Sequence, residues 1–443
     1  MQVIFEKKIN EFNKFINVDP DKSISIRAFL ISSISQGVSK VSNILPSEDV
    51  FSTINSLKKL NCKIIKISKN EYKIFGKGLG SFYTTKKTLL DLGNSGTGLR
   101  LISSIISTTP NMEVNLTGDK SLKKRNMSKL INLLNEFGAE TYPKDKVYLP
   151  LKLKSSNFPV GIKFVAGSSA QLKSAAILAG LNSFGTTTIF EKFKTRDHTE
   201  NMLKKNSKSI LLKNKGNIIK IFGKKTLNSL NIKIPSDPSS AAFFAAICIL
   251  NKKSELKIRN VCTNPKRLGF YNILKKHGAK IKILNKKKQN NESVGDLFIK
   301  SGRIKPLKTS ASHYLTATDE YPIMFIIAAL TKGISKFRNI GGLVEKETNR
   351  ILEMKKILKK VGVKCIATKN SMTIFGSSNF IKTKKQITID SLHDHRLAMA
   401  SSVLALCTGA KIIIKGFETV NTSSPSFLKI VKKLGGKYEI KKK

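Results

Sequence analysis

The sequence predicts an α/β (α+β) protein built from repeated units in two similar halves. Six helix endings of similar composition recur along the 443-residue chain, and short alternating strands follow them. Each unit also carries a helix that is apolar on nearly every side, as expected of a buried helix. A turn rich in Ser, Asp and Pro near residues 227–238 leaves three units on either side, which indicates internal duplication.

The helix endings share an apolar residue, two mostly charged residues, a variable residue, and then Gly or a substitute. Lysines complement the dipole at a helix C-terminus, and Gly adopts the left-handed conformation that closes the last turn. The six endings are residues 57–61, 134–138, 203–207, 274–278, 358–362 and 431–435.

The apolar helices have polar or charged starts. If they pack in parallel, their N-termini and the polar residues there reach one surface. The Lys- and Asn-rich stretch 285–293 is predicted to be an exposed loop. The predicted helix starts are Lys22, Asn94, Ser169, Asp237, Asp319 and Asp394.

The formal net charge of +51 invites a nucleic-acid interpretation. However, the lysines are spread almost evenly, Trp is absent, and aromatic residues make up only 7%, so platforms for base stacking are scarce. The charge instead predicts a positive field that attracts small anionic substrates. We therefore expect small-molecule partners and no nucleic acid.

The cysteine pattern and the N-terminus indicate a cytoplasmic protein. Five cysteines lie far apart with no metal-ligand spacing, which favours reduced thiols and no bound metal. The first residues lack the apolar region of a secretory signal, and no apolar run reaches about 18 residues. We expect no membrane partner.

Several motifs place cations, hydroxyls or carboxylates near helix starts. Lys22 and Arg27 oppose the helix dipole unless an anion lies between them. The Gly-rich turn 93–98 can cradle an anion, and the hydroxyl and amide groups of residues 168–171 suit phosphate oxygens. The candidate cations are Lys22, Arg27, Arg125, Arg196, Lys346, Arg350 and Arg396, and the candidate carboxylates are Asp319 and Glu347.

Two of these assignments depend on predicted helices. Asp319 is either an ordinary N-cap or a general base. Lys346 and Arg350 are predicted on one helix face at i, i+4, with Glu347 one turn before Arg350. Around Asp394 no third metal ligand stands out, so a metal site is not expected. The whole set indicates at least two anionic groups in a cleft between two halves, with acid/base chemistry.

Six short motifs occur in order along the chain: DKSISIR at 21–27, GNSGT at 93–97, SAQ at 169–171, DEYP at 319–322, KETNR at 346–350 and DHR at 394–396. Together they resemble the 3-phosphoshikimate 1-carboxyvinyltransferase (EPSP synthase) family from about residue 18 to the C-terminus. The resemblance implies two domains, each of three βαβαββ units around buried parallel helices, an inside-out α/β barrel. One domain would comprise residues 20–235, and the other residues 1–19 and 236–443, with the active site in the cleft between them.

The resemblance also implies a reaction. The enolpyruvyl group of phosphoenolpyruvate would pass to the 5-hydroxyl of 3-phosphoshikimate by addition and elimination, with no cofactor and in a monomer. Asp319, Glu347 and Lys22 would be catalytic. By resemblance, 3-phosphoshikimate would contact Lys22, Ser23, Arg27, Ser169, Ala170, Gln171, Arg196, Asp319 and Lys346. Phosphoenolpyruvate would contact Lys22, Asn94, Gly96, Arg125, Gln171, Arg350 and Arg396.

Some residues depart from the family pattern, and two other functions stay open. The departures are Pro20, Asn126, Val344, Glu345 and Asn349. UDP-N-acetylglucosamine enolpyruvyl transferase is the first alternative, but loop 112–125 lacks the Cys usual in that family, and Ser rather than Asn follows Lys22. The second alternative is a basic nucleic-acid-binding protein on a related repeat fold.

Overall fold

A computed structural model describes residues 1–84, 87–204, 208–377 and 386–441 of the chain. The chain divides into two compact units. Unit I comprises Pro20–Ile234 and Gln289–Glu292, and unit II comprises Met1–Asp19, Pro235–Lys288 and Ser293–Lys443.

Strands and helices alternate along most of the chain. The strands are β1 (Gln2–Phe5), β2 (Asn13–Ile16), β3 (Gln36–Ser42), β4 (Lys63–Ser68), β5 (Glu71–Lys77), β6 (Thr88–Asp91), β7 (Glu113–Thr117), β8 (Glu140–Tyr142), β9 (Leu151–Lys154), β10 (Lys163–Ala166), β11 (Thr186–Glu191), β12 (Ile210–Lys213), β13 (Ile218–Phe222), β14 (Asn231–Lys233), β15 (Glu255–Cys262), β16 (Lys280–Gln289), β17 (Glu292–Lys300), β18 (Lys308–Thr309), β19 (Gly333–Arg338), β20 (Cys365–Ala367), β21 (Ser371–Gly376), β22 (Ile387–Asp390), β23 (Ile412–Lys415) and β24 (Glu439–Lys441).

The α-helices are α1 (Lys22–Ser33), α2 (Glu48–Lys59), α3 (Gly96–Ser107), α4 (Lys120–Lys123), α5 (Ser128–Glu136), α6 (Ala170–Leu181), α7 (His198–Leu203), α8 (Pro238–Leu250), α9 (Gly269–Lys276), α10 (Ala311–Ala317), α11 (Tyr321–Ala329), α12 (Arg350–Lys360), α13 (His395–Thr408) and α14 (Phe427–Lys433). None of the helices in the described part of the chain combines the length and the hydropathy that spanning a bilayer requires.

The described strands form six four-stranded sheets with one repeated topology, which confirms the predicted α/β class with internal repeats. In the sheet β6-β7-β9-β8, β6 and β7 are parallel, whereas β9 pairs antiparallel with β7 and β8. Unit I also holds β10-β11-β13-β12 and β14-β3-β5-β4, and unit II holds β16-β17-β15-β2, β18-β19-β21-β20 and β22-β23-β1-β24.

The apolar helices form the interior of each unit. In unit I, α3 packs against both α1 and α6, and in unit II α8, α11 and α13 pack against one another. Every residue of α8 from Pro238 to Ile249 is buried, because Ala, Phe and Ile occupy all sides of the helix. The predicted helix starts agree with the observed ones to within two residues.

The predicted helix endings are also confirmed where the structure describes them. Asn61, Gly138, Gly278, Gly362 and Gly435 all have positive φ, between 61° and 98°. The ending predicted at 203–207 includes residues 205–207, which lie outside the described residues.

A glycine after an Ile-Phe pair lies at or next to the end of one strand in three of the sheets. At Gly76, an added Cβ would lie 2.1 Å from the carbonyl oxygen of Ser35 and 2.4 Å from that of Ser32. A Cβ atom added to Gly223 or Gly376 would lie similarly close to carbonyl oxygens at or just after the end of a buried helix. Because a side chain cannot fit there, these glycines let the strand cross the end of the buried helix.

The prediction of a loop at 285–293 is wrong. Most of these residues belong to β16 and β17, and the turn consists of Asn290 and Asn291, both with positive φ. The lysines of β16 are exposed because β16 is an edge strand of its sheet. An edge strand rich in solvated lysines has the composition of a loop, which is why the sequence indicated one.

Candidate functional site

In unit I, the start of α1 presents Lys22 beside a buried carboxylate. Asp21 caps the helix by accepting a hydrogen bond from the backbone N–H of Ile24 at 2.8 Å. The Nζ atom of Lys22 donates to Oδ2 of Asp49 at 2.8 Å, and Asp49 lies in the first turn of α2. The Lys22 side chain keeps 20% of its area exposed, so the ammonium group is paired yet accessible. Sequence analysis missed Asp49, because its acidic pair with Glu48 is typical of any helix start.

Arg27 is fixed by three oxygens from different parts of unit I. Its guanidinium donates to the hydroxyls of Thr199 and Ser174, at 3.0 and 3.1 Å, and to the carbonyl of Ser23 at 3.1 Å. Only 3% of Arg27 is exposed. Arg27 is therefore part of a rigid arrangement that joins α1, α6 and α7, and not the solvated charge of a helix surface.

Gln171 joins the starts of α3 and α6. Its Nε2 atom donates to the hydroxyl of Thr97 at 2.8 Å, and its Oε1 atom accepts from Arg100 at 2.9 Å. Arg100 also donates to the carbonyl of Gly96 at 2.9 Å. The first turns of these helices thus lie together, as the sequence predicted, and Arg100 adds a cation that the sequence analysis had not named.

The Gly-rich turn contacts a second guanidinium. Nη2 of Arg125 donates to Oδ1 of Asn94 at 2.6 Å, and Asn94 donates to Asp119 at 2.8 Å. A Cβ atom on Gly96 would lie 2.8 Å from Nη1 of both Arg100 and Arg125. The missing side chain of Gly96 therefore lets two guanidinium groups approach one turn.

The other unit I candidates lie near these groups along the chain. Ser169 caps α6 by accepting from the N–H of Leu172 at 3.3 Å, and Ala170 is the first residue of that helix. Ser23 is half-buried in the first turn of α1, and Arg196 is half-buried in the segment before α7.

A buried ion cluster that the sequence did not reveal is centred on Lys173, near the start of α6. Nζ of Lys173 lies 2.8 Å from Oε1 of Glu191 and 2.7 Å from Oε1 of Glu200. Burial by itself lowers the pKa of Lys173, but attraction to Glu200 and Glu191 raises it above its ordinary value. Burial raises the pKa of Glu191, but Lys173 and hydrogen bonds from Thr195 bring it below its ordinary value.

In unit II, Arg350 is bound by carboxylates. Its Nε atom donates to Oδ2 of Asp394 at 2.8 Å, and Nη2 donates to Oε2 of Glu347 at 2.6 Å. Its Nη1 atom lies 3.8 Å from Oδ1 of Asp319. Burial lowers the pKa of Arg350, yet Asp394 and Glu347 raise it far above its ordinary value. The guanidinium is permanently charged and holds two candidate catalytic carboxylates.

The predicted helical face of Lys346 and Arg350 is wrong. The helix α12 begins only at Arg350, because Asn349 caps it by accepting from the N–H of Leu352 at 3.1 Å. Lys346 and Glu347 lie in the bend before the cap, and both are half-buried. The bend, rather than helical spacing, brings Glu347 back onto Arg350.

Asp319 is not the N-cap of the buried helix α11, because that position belongs to Glu320. Glu320 instead accepts a hydrogen bond from the hydroxyl of Ser239, at the start of α8. The Asp319 side chain remains 22% exposed. The interpretation of Asp319 as an N-cap is therefore wrong. Its carboxylate is partly exposed and lies beside the guanidinium of Arg350, which is compatible with the interpretation as a general base.

Arg396 is a buried cation with unused hydrogen-bond donors. It is 6% exposed, and its Nε and Nη1 atoms have no hydrogen-bond partner among the described residues. Its Cζ atom lies 5.8 Å from the centre of the Phe243 ring. Buried donors without partners are costly, so this arrangement favours an anionic ligand.

Each unit thus gathers cations, hydroxyls and carboxylates at the starts of its buried helices, which suits anionic substrates and proton transfer. The fold is shared with the enolpyruvyl transferase NikO of Streptomyces tendae, which aligns over 99% of this chain and 98% of its own with a TM-score of 0.74. At 12% identity, that likeness concerns the fold alone.

The chain belongs to the EPSP synthase (3-phosphoshikimate 1-carboxyvinyltransferase) family, whose model matches residues 6–431. A 3-phosphoshikimate 1-carboxyvinyltransferase of Paramagnetospirillum magneticum is 34% identical over 424 residues, which cover 95% of this chain and 94% of that relative. The structure of EPSP synthase from Acinetobacter baumannii aligns over 100% of both chains, with a TM-score of 0.86 and 32% identity. The resemblance seen in the six motifs is confirmed.

Proposed function

We infer that the protein transfers the enolpyruvyl group of phosphoenolpyruvate to the 5-hydroxyl of 3-phosphoshikimate and releases phosphate. The observation that carries this inference is the family match over residues 6–431. In the addition step, the 5-oxygen bonds to C2 of phosphoenolpyruvate while C3 gains a proton, which gives a tetrahedral ketal. In the elimination step, C3 loses a proton and the bond from C2 to the phosphate oxygen breaks.

We propose that 3-phosphoshikimate is bound mainly by rigidly held groups of unit I. Arg27 suits this role because three oxygens fix its guanidinium, and a preorganised cation costs little entropy on binding. The remaining proposed contacts are Lys22, Ser23, Ser169, Ala170, Gln171 and Arg196, with Asp319 and Lys346 from unit II.

For phosphoenolpyruvate, we propose a set of guanidinium groups and a turn. Two N–H groups of Arg396 have no hydrogen-bond partner among the described residues, as expected of a guanidinium that binds the carboxylate or phosphate of a ligand. Arg125 lies against Gly96, which has no side chain to keep its guanidinium or a ligand away from the start of α3. The other proposed contacts are Lys22, Asn94, Gln171 and Arg350.

Three residues are proposed to move protons. Asp319 would accept the proton of the 5-hydroxyl, since its carboxylate is partly exposed. Either Glu347 or Lys22 would deliver a proton to the methylene carbon. Glu347 is oriented by its 2.6 Å hydrogen bond from Arg350, and Lys22 by its 2.8 Å contact with Asp49. Both groups are therefore held in place before the substrate binds.

The test is phosphate release from phosphoenolpyruvate with different acceptors. We expect release with 3-phosphoshikimate, and none with UDP-N-acetylglucosamine or without an acceptor. Lys22→Met is expected to abolish release while leaving the fold intact, and Lys40→Met is the control, since Lys40 has a 55% exposed side chain in a surface ion pair. Release with UDP-N-acetylglucosamine alone would overturn the inference.

We also propose that the protein acts in the cytoplasm as a monomer without nucleic acid. Light scattering after gel filtration tests the monomer. A binding titration with RNA at several salt concentrations tests the nucleic-acid alternative, since phosphate contacts weaken steeply with salt.

A further inference from the structure

Lys173 lies in a fully buried cluster that the proposed reaction does not use. Its side chain is 0% exposed, and those of its partners Glu191 and Glu200 are 1% and 3% exposed. The three side chains come from α6, the end of β11 and α7. Two carboxylates face one ammonium group, so the cluster retains a buried negative charge when all three groups are ionised.

Stability alone is a poor explanation for such a cluster. Removing charges from water costs several kcal/mol per ion, and replacing a buried ion pair by apolar side chains is often neutral or stabilising. In addition, Oε2 of Glu200 is buried without a hydrogen-bond partner among the described residues. The cluster therefore calls for a role other than holding the unit together.

The cluster fixes the residue that precedes Arg196. Oε1 of Glu191 accepts hydrogen bonds from the backbone N–H of Thr195 at 2.7 Å and from its hydroxyl at 2.8 Å. Lys173 also donates to the carbonyl of Thr195 at 3.5 Å. Lys173 thereby ties Thr195, in segment 192–197, to Glu191 at the end of β11 and to Glu200 in α7.

Neighbours of the cluster fix Arg27 as well. Ser174 follows Lys173 in α6, and Thr199 precedes Glu200 in α7. The hydroxyl of Thr199 donates to that of Ser174 at 2.9 Å, and both hydroxyls accept from Arg27. The same stretches of α6 and α7 therefore hold the ion cluster and the guanidinium of Arg27.

We propose that Lys173, Glu191 and Glu200 form a positioning clamp that sets Arg196 and Arg27 for the anionic groups of 3-phosphoshikimate. The proposal rests on the proposed function of this site. Lys173 is a positioning residue, because it acts through Thr195, Ser174 and α7 and does not itself touch the substrate. Arg196 and Arg27 are proposed contacts of 3-phosphoshikimate and not of phosphoenolpyruvate, so loss of the clamp should affect the binding of 3-phosphoshikimate selectively.

The decisive measurement separates the two substrates. In the double variant Lys173→Met/Glu200→Gln, Glu191 keeps both bonds from Thr195 but the clamp is lost. We expect the KM for 3-phosphoshikimate to rise about tenfold, which corresponds to about 1.4 kcal/mol. The KM for phosphoenolpyruvate should stay within about twofold. Titration calorimetry of 3-phosphoshikimate alone should show the same loss of affinity.

Two further variants keep the proposal testable if the double variant does not fold. Thr195→Val removes only the hydroxyl bond to Glu191, and we expect a smaller rise in the same KM. Lys173→Arg keeps the charge and should restore much of the affinity. The matched control is Lys152→Met, which breaks a surface pair with Glu113 in unit I and should change neither KM.

The outcomes are distinguishable. If the wild-type protein does not use 3-phosphoshikimate, the proposed function fails. If the wild type is active but the folded double variant keeps both KM values, the clamp is only structural and this proposal is overturned. If the double variant does not fold, an unchanged KM for 3-phosphoshikimate in Thr195→Val overturns it. Equal rises in both KM values also contradict a clamp specific to one substrate.

Discussion

Nε of Arg350 lies 2.8 Å from Oδ2 of Asp394, and both side chains are almost completely buried. The same carboxylate caps α13 by accepting from the backbone N–H of Arg396 at 2.9 Å. The hydroxyl of Thr348 also donates to Asp394, at 3.0 Å. One side chain thus orients Arg350 and the helix turn that carries Arg396, two of the residues proposed to bind phosphoenolpyruvate.

Asp394→Asn should therefore weaken both stability and phosphoenolpyruvate binding. Asparagine can still cap the helix, but Arg350 loses its main counter-charge, and breaking a buried pair costs about 3 kcal/mol. We expect the free energy of unfolding to fall by about that amount in urea denaturation, and the KM for phosphoenolpyruvate to rise. Glu439→Gln is the control, since it breaks an exposed pair with Lys441 and should change neither quantity. Unchanged stability of Asp394→Asn would contradict the importance of this pair.

Gly96→Ala should raise the KM for phosphoenolpyruvate more than that for 3-phosphoshikimate. The new methyl group would lie 2.8 Å from Nη1 of both Arg100 and Arg125, so the guanidinium groups must move. Steady-state kinetics with each substrate varied in turn measures the two KM values, and we expect a selective rise of about tenfold. Gly302→Ala is the matched control, because its Cβ meets only ordinary contacts with the Lys280 side chain. Equal KM changes for both substrates would argue against a turn specific to phosphoenolpyruvate.

Arg27→Ala should raise the KM for 3-phosphoshikimate by about ten- to a hundredfold, the range for lost hydrogen bonds to a charged group. Lys40→Ala is a suitable control, since that lysine is exposed. Ser25→Ala is not a control, because the buried hydroxyl of Ser25 donates to the carbonyl of Asp21 and accepts from the N–H of Leu45. If Arg27→Ala and Lys40→Ala have the same kinetics, Arg27 has no role in substrate binding.

The pH dependence of stability should report on Glu191. Because the folded protein holds the pKa of Glu191 below its ordinary value of 4.5, the unfolded chain binds the proton more readily. The stabilisation is therefore complete above about pH 4.5 and is lost as the pH falls through the folded pKa. Glu191→Gln should cost about 2 kcal/mol near neutral pH, and less at about pH 3. Urea denaturation across this range checks the trend, and a difference that grows toward acid would contradict it.

The sequence revealed the repeats because their signals are local. A lysine pair and a glycine at a helix end lie within five residues, and a buried helix is recognised from an uninterrupted run of apolar residues. The Ile-Phe-Gly triplets ending at Gly76, Gly223 and Gly376 are a further local signal that the sequence analysis could have used.

The buried ion partners could not be read in the same way. Arg350 meets Asp394 and Lys173 meets Glu191 only after the chain has folded, since no helical or strand spacing relates them. Lys346 was predicted to be helical because the sequence alone does not show that Asn349 caps α12 and that the helix begins at Arg350. Partners that depend on tertiary packing, and the exact cap that starts a helix, were therefore the residues it missed or misplaced.

The strand β1 has a consequence for synthesis on the ribosome. It precedes the other described strands in the sequence, yet its partners in the sheet are Ile412–Lys415 and Glu439–Lys441. At the usual translation rates, this strand waits on the order of tens of seconds for its neighbours. The first strand of unit I, β3, pairs with β14 at Asn231–Lys233, which is made much sooner. The hydroxyls that hold Arg27 belong to Ser174 and Thr199 and are made early, whereas the sheet of β1 in unit II forms only after Glu439–Lys441 has been made.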